Sequence, residues 1–204
     1  MAQLRIQQFR NEINGTLRLI GPKFMRYAVQ AKFRTAKDEL VKSFLDHDAT
    51  KEILGGPTAN NITNSINGGG NLFTYIGFNE GQDPITPVVN LLENSINILE
   101  NPSVVQKTDS ILYSYPIETP TIEQIEATTP APFVGARSWL IGIEEGSLGG
   151  IGQYIYRLFF PNPPSRSTGG LQRKNVQTGK SFNKVPYLLN LLEKFKKRIQ
   201  TTKK

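Results

Sequence analysis

The sequence predicts an α+β fold. An antiparallel β-sheet with a β-hairpin is expected between a long N-terminal helix and a C-terminal amphipathic helix, with a long basic loop or arm before the latter. Three observations predict it. Apolar residues between Pro22 and His47 recur at roughly helical spacing. Two extended runs, 60–67 and 71–78, flank Gly68-Gly69-Gly70. Leu188, Leu191, Leu192, Phe195 and Ile199 form one stripe near the end of the chain.

Taken in order, Leu4 to Ile20 is a weakly periodic amphipathic stretch with a break near Gly15, and Gly21-Pro22 is expected to reset the chain. The long helix follows, carrying Phe24, Ala28, Ala31, Ala36, Leu40, Val41, Phe44 and Leu45 on its apolar side; Gly55-Gly56-Pro57 closes this region. Leu72-Phe73-Thr74-Tyr75-Ile76-Gly77-Phe78 is rich in strand formers, so it pairs with 60–67 in the predicted hairpin. Asp83-Pro84 is a cap followed by a first-turn proline, opening a helix with Val88, Leu91, Leu92 and Ile96. Ser110 to Ile117 is a strand with Tyr113 and Tyr115 on one face, and Thr119-Pro120 opens a short helix bearing Ile122 and Ile125. The aromatic run Tyr154–Phe160 fits a strand or a helix. Residues 161–185 form a Pro-, Gly-, Ser- and Lys/Arg-rich arm, and Pro186 begins the last helix, whose cationic end suits its dipole. The expected organisation is therefore a core domain over 1–160, the arm over 161–185, and the helix with a basic tail over 186–204.

Composition sets bounds on function. The 204 residues include no cysteine, which removes disulfide frameworks, thiol catalysis and cysteine–zinc sites. No run approaches the roughly 18 apolar residues that span a bilayer, so no membrane partner is expected. Arg5, Arg10 and Arg18 near the start accompany no apolar signal core. The net charge of +7 is segregated. Residues 1–51 and 157–204 are basic, while 52–156 carry only Lys107 and Arg137 against eleven acids. Such a chain suits nucleic acid, or copies of itself joined head to tail. An ordinary solvated basic tail is the plainer account of the last block.

Every catalytic pattern is incomplete. His47 is the one histidine, in Asp46-His47-Asp48 at a helix end, where capping explains it more simply than a triad or a metal site. Gly179-Lys180-Ser181 resembles the close of a phosphate-binding loop, but Lys174 stands where that loop requires glycine. The glycines of 146–152 lack both the dinucleotide spacing and its strand–helix setting. Glu144-Glu145 point apart along the chain, and Glu123 with Glu126 fits a solvated helix face. The reading therefore includes no catalytic residue, no metal ligand and no cofactor. A nucleic-acid module has more support: Arg157, Arg166, Arg173, Lys174, Lys180 and Lys184 lie among Tyr154, Tyr156, Phe159, Phe160 and Phe182. No established nucleic-acid-binding motif accompanies them.

Gly56-Pro57-x-x-Asn60-Asn61-Ile62, the run 71–78, Asp83-Pro84-Ile85, Ala136-Arg137-Ser138-Trp139-Leu140-x-Gly142-Ile143-Glu144 and Ser165-Arg166-Ser167-x-Gly169 follow one another in an order that resembles virion structural proteins of tailed phages. The layout resembles their neck, tail-completion or head–tail connector class, whose Gly-Arg-Leu hairpin signature is not present here. The resemblance implies a homo-oligomeric ring of six or twelve copies in the virion, assembled in the host cytoplasm. Its partners would be portal or adaptor, stopper, terminator or tail-tube proteins, with a passing contact with DNA. Tail terminator and baseplate subunit are the neighbouring roles. Residues expected at the subunit interface are Trp139, Phe159 and Phe160 as aromatic anchors, with Arg166, Arg173, Lys174, Lys180 and Lys184 on the arm. Core packing is an equal account of Trp139.

Overall fold

A computed structural model describes residues 2–66, 70–106, 111–132, 137–148 and 182–200, with backbone alone at 2–14, 16–19, 22, 24 and 106. The expected aromatic run Tyr154–Phe160, most of the arm, and the tail beyond 200 lie outside the described residues.

The fold is α+β, and its core is built by helices. The first helix, α1 (Ala2–Leu45), is continuous for 44 residues, about 66 Å at ~1.5 Å per residue. The expected break at Gly15 and reset at Gly21-Pro22 do not occur. Pro22 removes one intrahelical hydrogen bond but leaves the helix running on. Gly21 has a different role: a Cβ there would come within 2.5 Å of the Tyr113 hydroxyl, so its bare backbone admits that ring.

A sharp elbow at 46–47 leads to α2 (Asp48–Leu54) and a 3-10 turn, Gly56–Thr58. The predicted hairpin over 60–78 does not form: among the described residues 60–66 and 71–78 do not pair, and 72–76 are a five-residue helix, α3 (Leu72–Ile76). Local capping overrides the strand propensity. Asn71 Oδ1 accepts the Thr74 N–H at 2.9 Å, Thr74 Oγ1 accepts the Asn71 N–H at 3.1 Å, and Gly77 closes the helix at φ 91°.

Helix α4 (Thr86–Ser95) starts two residues after Pro84. Asp83 caps this turn through the Ile85 and Thr86 N–H groups, and the Thr86 hydroxyl, foremost, holds its carboxyl below the usual carboxylate range. At the other end, Lys37 Nζ donates to the carbonyls of Glu93 and Ile96, complementing the negative end of the helix dipole.

The antiparallel strands are β1 (Asn97–Ile98), β2 (Ser103–Gln106), β3 (Ile111–Ser114) and β4 (Ile117–Glu118), pairing β1 with β4 and β2 with β3. Among the described residues the antiparallel pairing of successive strands is thus here, between β2 and β3. The expected strand over 110–117 is split, because Glu100, Asn101 and Pro102 stand against Tyr115 alone between the two pairs. That bulge carries Glu100 to Arg26 of α1 at 2.8 Å.

Helix α5 (Ile122–Thr128) begins at a Thr121–Gln124 capping box and buries Ile125, leaving Ile122 outside. Helix α6 (Trp139–Glu145) is capped by Ser138. The final helix, α7 (Leu188–Gln200), lies on α1 with Phe33 edge-on to Phe195. It belongs to the same core as the preceding elements. Leu188, Leu191, Leu192 and Phe195 are buried as the stripe predicts. Phe44, Ile53, Leu72, Leu92 and Leu140 complete the centre.

Candidate functional site

Two places among the described residues bear on function: the joint around His47 and the exposed surface along the first half of α1. The joint gathers several segments of chain. Residues 182–187 cross the body as a strap. Phe182 bridges Ile66, the Asn183 N–H donates to the Ser65 carbonyl at 2.7 Å, and the Val185 N–H to the Ile143 carbonyl at 3.1 Å. The last residues of the expected arm are therefore docked.

At the end of the strap, His47 Nδ1 accepts the Ala49 N–H at 3.2 Å while Nε2 meets the Pro186 carbonyl at 3.0 Å. A carbonyl only accepts, so Nε2 carries the proton and the imidazole is neutral. Burial holds its pKa below the usual histidine value. Both nitrogens are committed to backbone, so neither is left to take a proton from a substrate. The capping expected of His47 is present, at the start of α2 instead of the end of α1.

Glu144 supplies what Pro186 cannot. Its carboxylate accepts the Tyr187 N–H at 2.8 Å and the Leu189 N–H at 2.9 Å, occupying free donors at the start of α7. Burial raises its pKa, and these N–H groups oppose the rise. The Tyr187 hydroxyl, its pKa also raised by burial, shares a hydrogen with Thr50, whose Oγ1 reaches the Phe44 carbonyl. An open cleft of ≈ 370 Å³ beside this joint is bordered by His47, Asp48, Thr63, Asn190 and Lys194. Among the described residues no three of His, Cys, Asp and Glu are placed to hold a metal ion.

Sequence reading missed two residues that organise the neighbouring loop. Glu52 is fully buried; Oε1 accepts the Leu72 N–H at 2.7 Å, and Oε2 accepts the Thr63 N–H at 3.0 Å and hydroxyl at 2.8 Å. Asn71 Nδ2 faces the carbonyls of Gly56, Pro57 and Ala59 at 2.9, 3.2 and 2.8 Å. Asn71-x-x-Thr74 ahead of Gly77 is a legible helix signal. Nothing in sequence marks Glu52. This joint is a structural device.

The expected interface residues divide three ways. Trp139 is 1% exposed and edge-on to Phe78, so it is a core side chain with no surface to offer. Phe159, Phe160, Arg166, Arg173, Lys174 and Lys180 lie outside the described residues. Lys184 is exposed on the strap, its backbone against Gly146. Phe182, one of the aromatics that a nucleic-acid module would use for stacking, is buried and stacked on Tyr75.

The exposed surface has a different character. No α1 residue with a described side chain is buried before Phe33. Ile20 is 49% and Tyr27 66% exposed. On the β2–β3 ribbon, Val105 and Leu112 sit directly opposite one another at 49% and 50% exposure. Among the described residues the ribbon has no third strand, and Ser103-Val104-Val105-Gln106 carries neither charge nor proline to blunt its edge. Two strands alone are marginal in water. Here the ribbon leans on α1 through Tyr113 at Gly21 and Glu100 at Arg26.

The fold defines an α+β domain with a joint sealed by its own backbone and with exposed apolar side chains on the first half of α1 and on the β2–β3 ribbon. No family model, no curated protein and no solved structure matches the chain. Among the described residues no helix is long and apolar enough to cross a membrane.

Proposed function

We propose that this chain is a non-enzymatic structural subunit of a tailed-phage virion, a neck or tail-completion protein that forms a ring between the portal side of the head and the tail tube. The observation that carries the assembly reading is the set of exposed apolar residues on α1 and on the β2–β3 ribbon. Ile20, Tyr27, Val105 and Leu112 are large apolar residues on elements that bury little of their own surface, and such surfaces are characteristic of subunits that meet partners. The segregated charge supports it, because an acidic middle and basic ends on one chain favour contacts between unlike surfaces of neighbouring copies. The resemblance carried by Gly56–Ile62, Asp83–Ile85 and Ala136–Glu144 supplies the phage setting. His47, with both nitrogens bonded to backbone, supports the non-enzymatic part.

The test is made on particles. Phage lacking the chain should accumulate filled heads and separate tails in electron micrographs, and the chain should be present at fixed stoichiometry in purified virions. Fully joined, infectious particles without it would overturn the reading.

A further inference from the structure

The two halves of α1 carry their apolar residues on opposite sides. Phe33, Ala36, Leu40 and Phe44 recur at steps of three and four and are buried against the body. Ahead of them, Ile13, Leu17, Ile20, Phe24, Tyr27 and Ala31 also alternate steps of four and three, and Ile6 lies one heptad before Ile13. That is the spacing of a seam between helices. At about 100° per residue, the second set falls on the side of α1 opposite the first. The consequence is that α1 as a whole has almost no net apolar side. Ile20, Tyr27 and Ala31, the members with described side chains, are all exposed.

Charge chooses the occupant of this stripe. By the same helical spacing, Arg5, Lys23 and Arg34 run along one border of it with Glu12 beside them, Arg10 lies along the other, and Asp38 follows in line one heptad after Ala31. Pairing the stripe with itself would bring these four cations together against only the carboxylates of Glu12 and Asp38. The chain's own middle offers the complement. On α5, Ile122 is 54% exposed, with Glu123 and Glu126 on the same side and Glu118 just before them. Among the described residues none of Glu118, Glu123 and Glu126 forms an ion pair, and Glu123 accepts only local hydrogen bonds, one of them from the Thr121 hydroxyl. An apolar anchor among carboxylates matches an apolar stripe bordered by cations.

We infer that the first half of α1 docks on the acidic α5 face of a second copy of this chain. The inference rests on the assembly reading above and names its contact surfaces. The contact joins two different patches, so each copy keeps one of each free and the interaction repeats into a closed ring or an open filament. Part of its strength is electrostatic and falls as salt rises.

The experiment is sedimentation velocity and light scattering of the full chain across a wide concentration range. Wild-type protein should associate. Ile20→Ser with Tyr27→Ser should weaken association by roughly tenfold or more, as loss of apolar anchors does. Glu123→Lys with Glu126→Lys should also weaken it, and adding Lys23→Glu with Arg34→Glu to that chain should restore it. All these positions are exposed, so unchanged thermal unfolding serves as the folding control. If the chain associates but neither set of changes matters, another surface joins the copies; the inference then fails while the subunit reading stands. If the stripe changes dissociate it and the Glu123/Glu126 changes do not, the stripe pairs with itself and the acidic face is wrong. A wild-type monomer at every concentration overturns the second copy as occupant, and the particle experiment judges the subunit reading separately.

Discussion

The two halves of α1 obey the same helical periodicity and have opposite fates. From Phe33 to Phe44 the apolar residues meet α4 and α7 and are sealed, with Lys37 and Glu39 making polar contacts at the margins of that face. From Ile13 to Ala31 the spacing is at least as regular, yet Ile20 and Tyr27 are exposed. Amphipathicity marks a face that wants covering. It does not say whether the cover comes from the same chain or from another.

That contrast can be broken by substitution. The largest effect is expected from Phe44→Ala, which empties a fully buried site stacked on Tyr187 and should cost about 3–5 kcal/mol in urea unfolding, with the slope unchanged. Next is Glu52→Ala, which strands the donors of Thr63 and Leu72 and should cost about 3 kcal/mol by the same measurement. A loss near zero would mean that water replaces the carboxylate and the loop does not depend on it.

His47 should give a smaller, pH-dependent effect. Burial lowers its folded-state pKa, so the unfolded chain takes up the proton first. Its contribution is complete above the unfolded value of about 6.5 and declines as pH falls below it. Unfolding midpoints compared between pH 8 and pH 5.5 should fall less in His47→Gln than in wild type; equal falls would remove the histidine from the account. The smallest change is expected from Tyr27→Ala, within about 0.5 kcal/mol for the separate chain. A loss comparable with that of Phe44→Ala would show the first half of α1 to be part of the cooperative core.

Much of the fold was legible in the residues. The helices over the second half of α1 and over α7 follow from apolar spacing, and Asp83 caps the turn before α4 as its side chain suggests. Residues 71–78 were misread as a strand because Leu, Phe, Tyr and Ile weigh toward extended chain in a short window. The helix is decided by Asn71, Thr74 and Gly77, and by Glu52 accepting the Leu72 N–H from another element. The candidate site was less legible. Trp139 has the composition of an interface anchor and the position of a core residue. Glu52 looks like any surface glutamate until the loop closes over it.

What the sequence determined by itself is local: where helices run, which residues share a side of them, and how charge is divided along the chain. Only the tertiary structure decided which side of α1 is inside. Both stripes have the same period and comparable apolar content, so no local rule separates them. The choice is made by α4 and α7, brought from more than 40 residues away in sequence to cover Phe33, Leu40 and Phe44, and it leaves Ile20 and Tyr27 exposed.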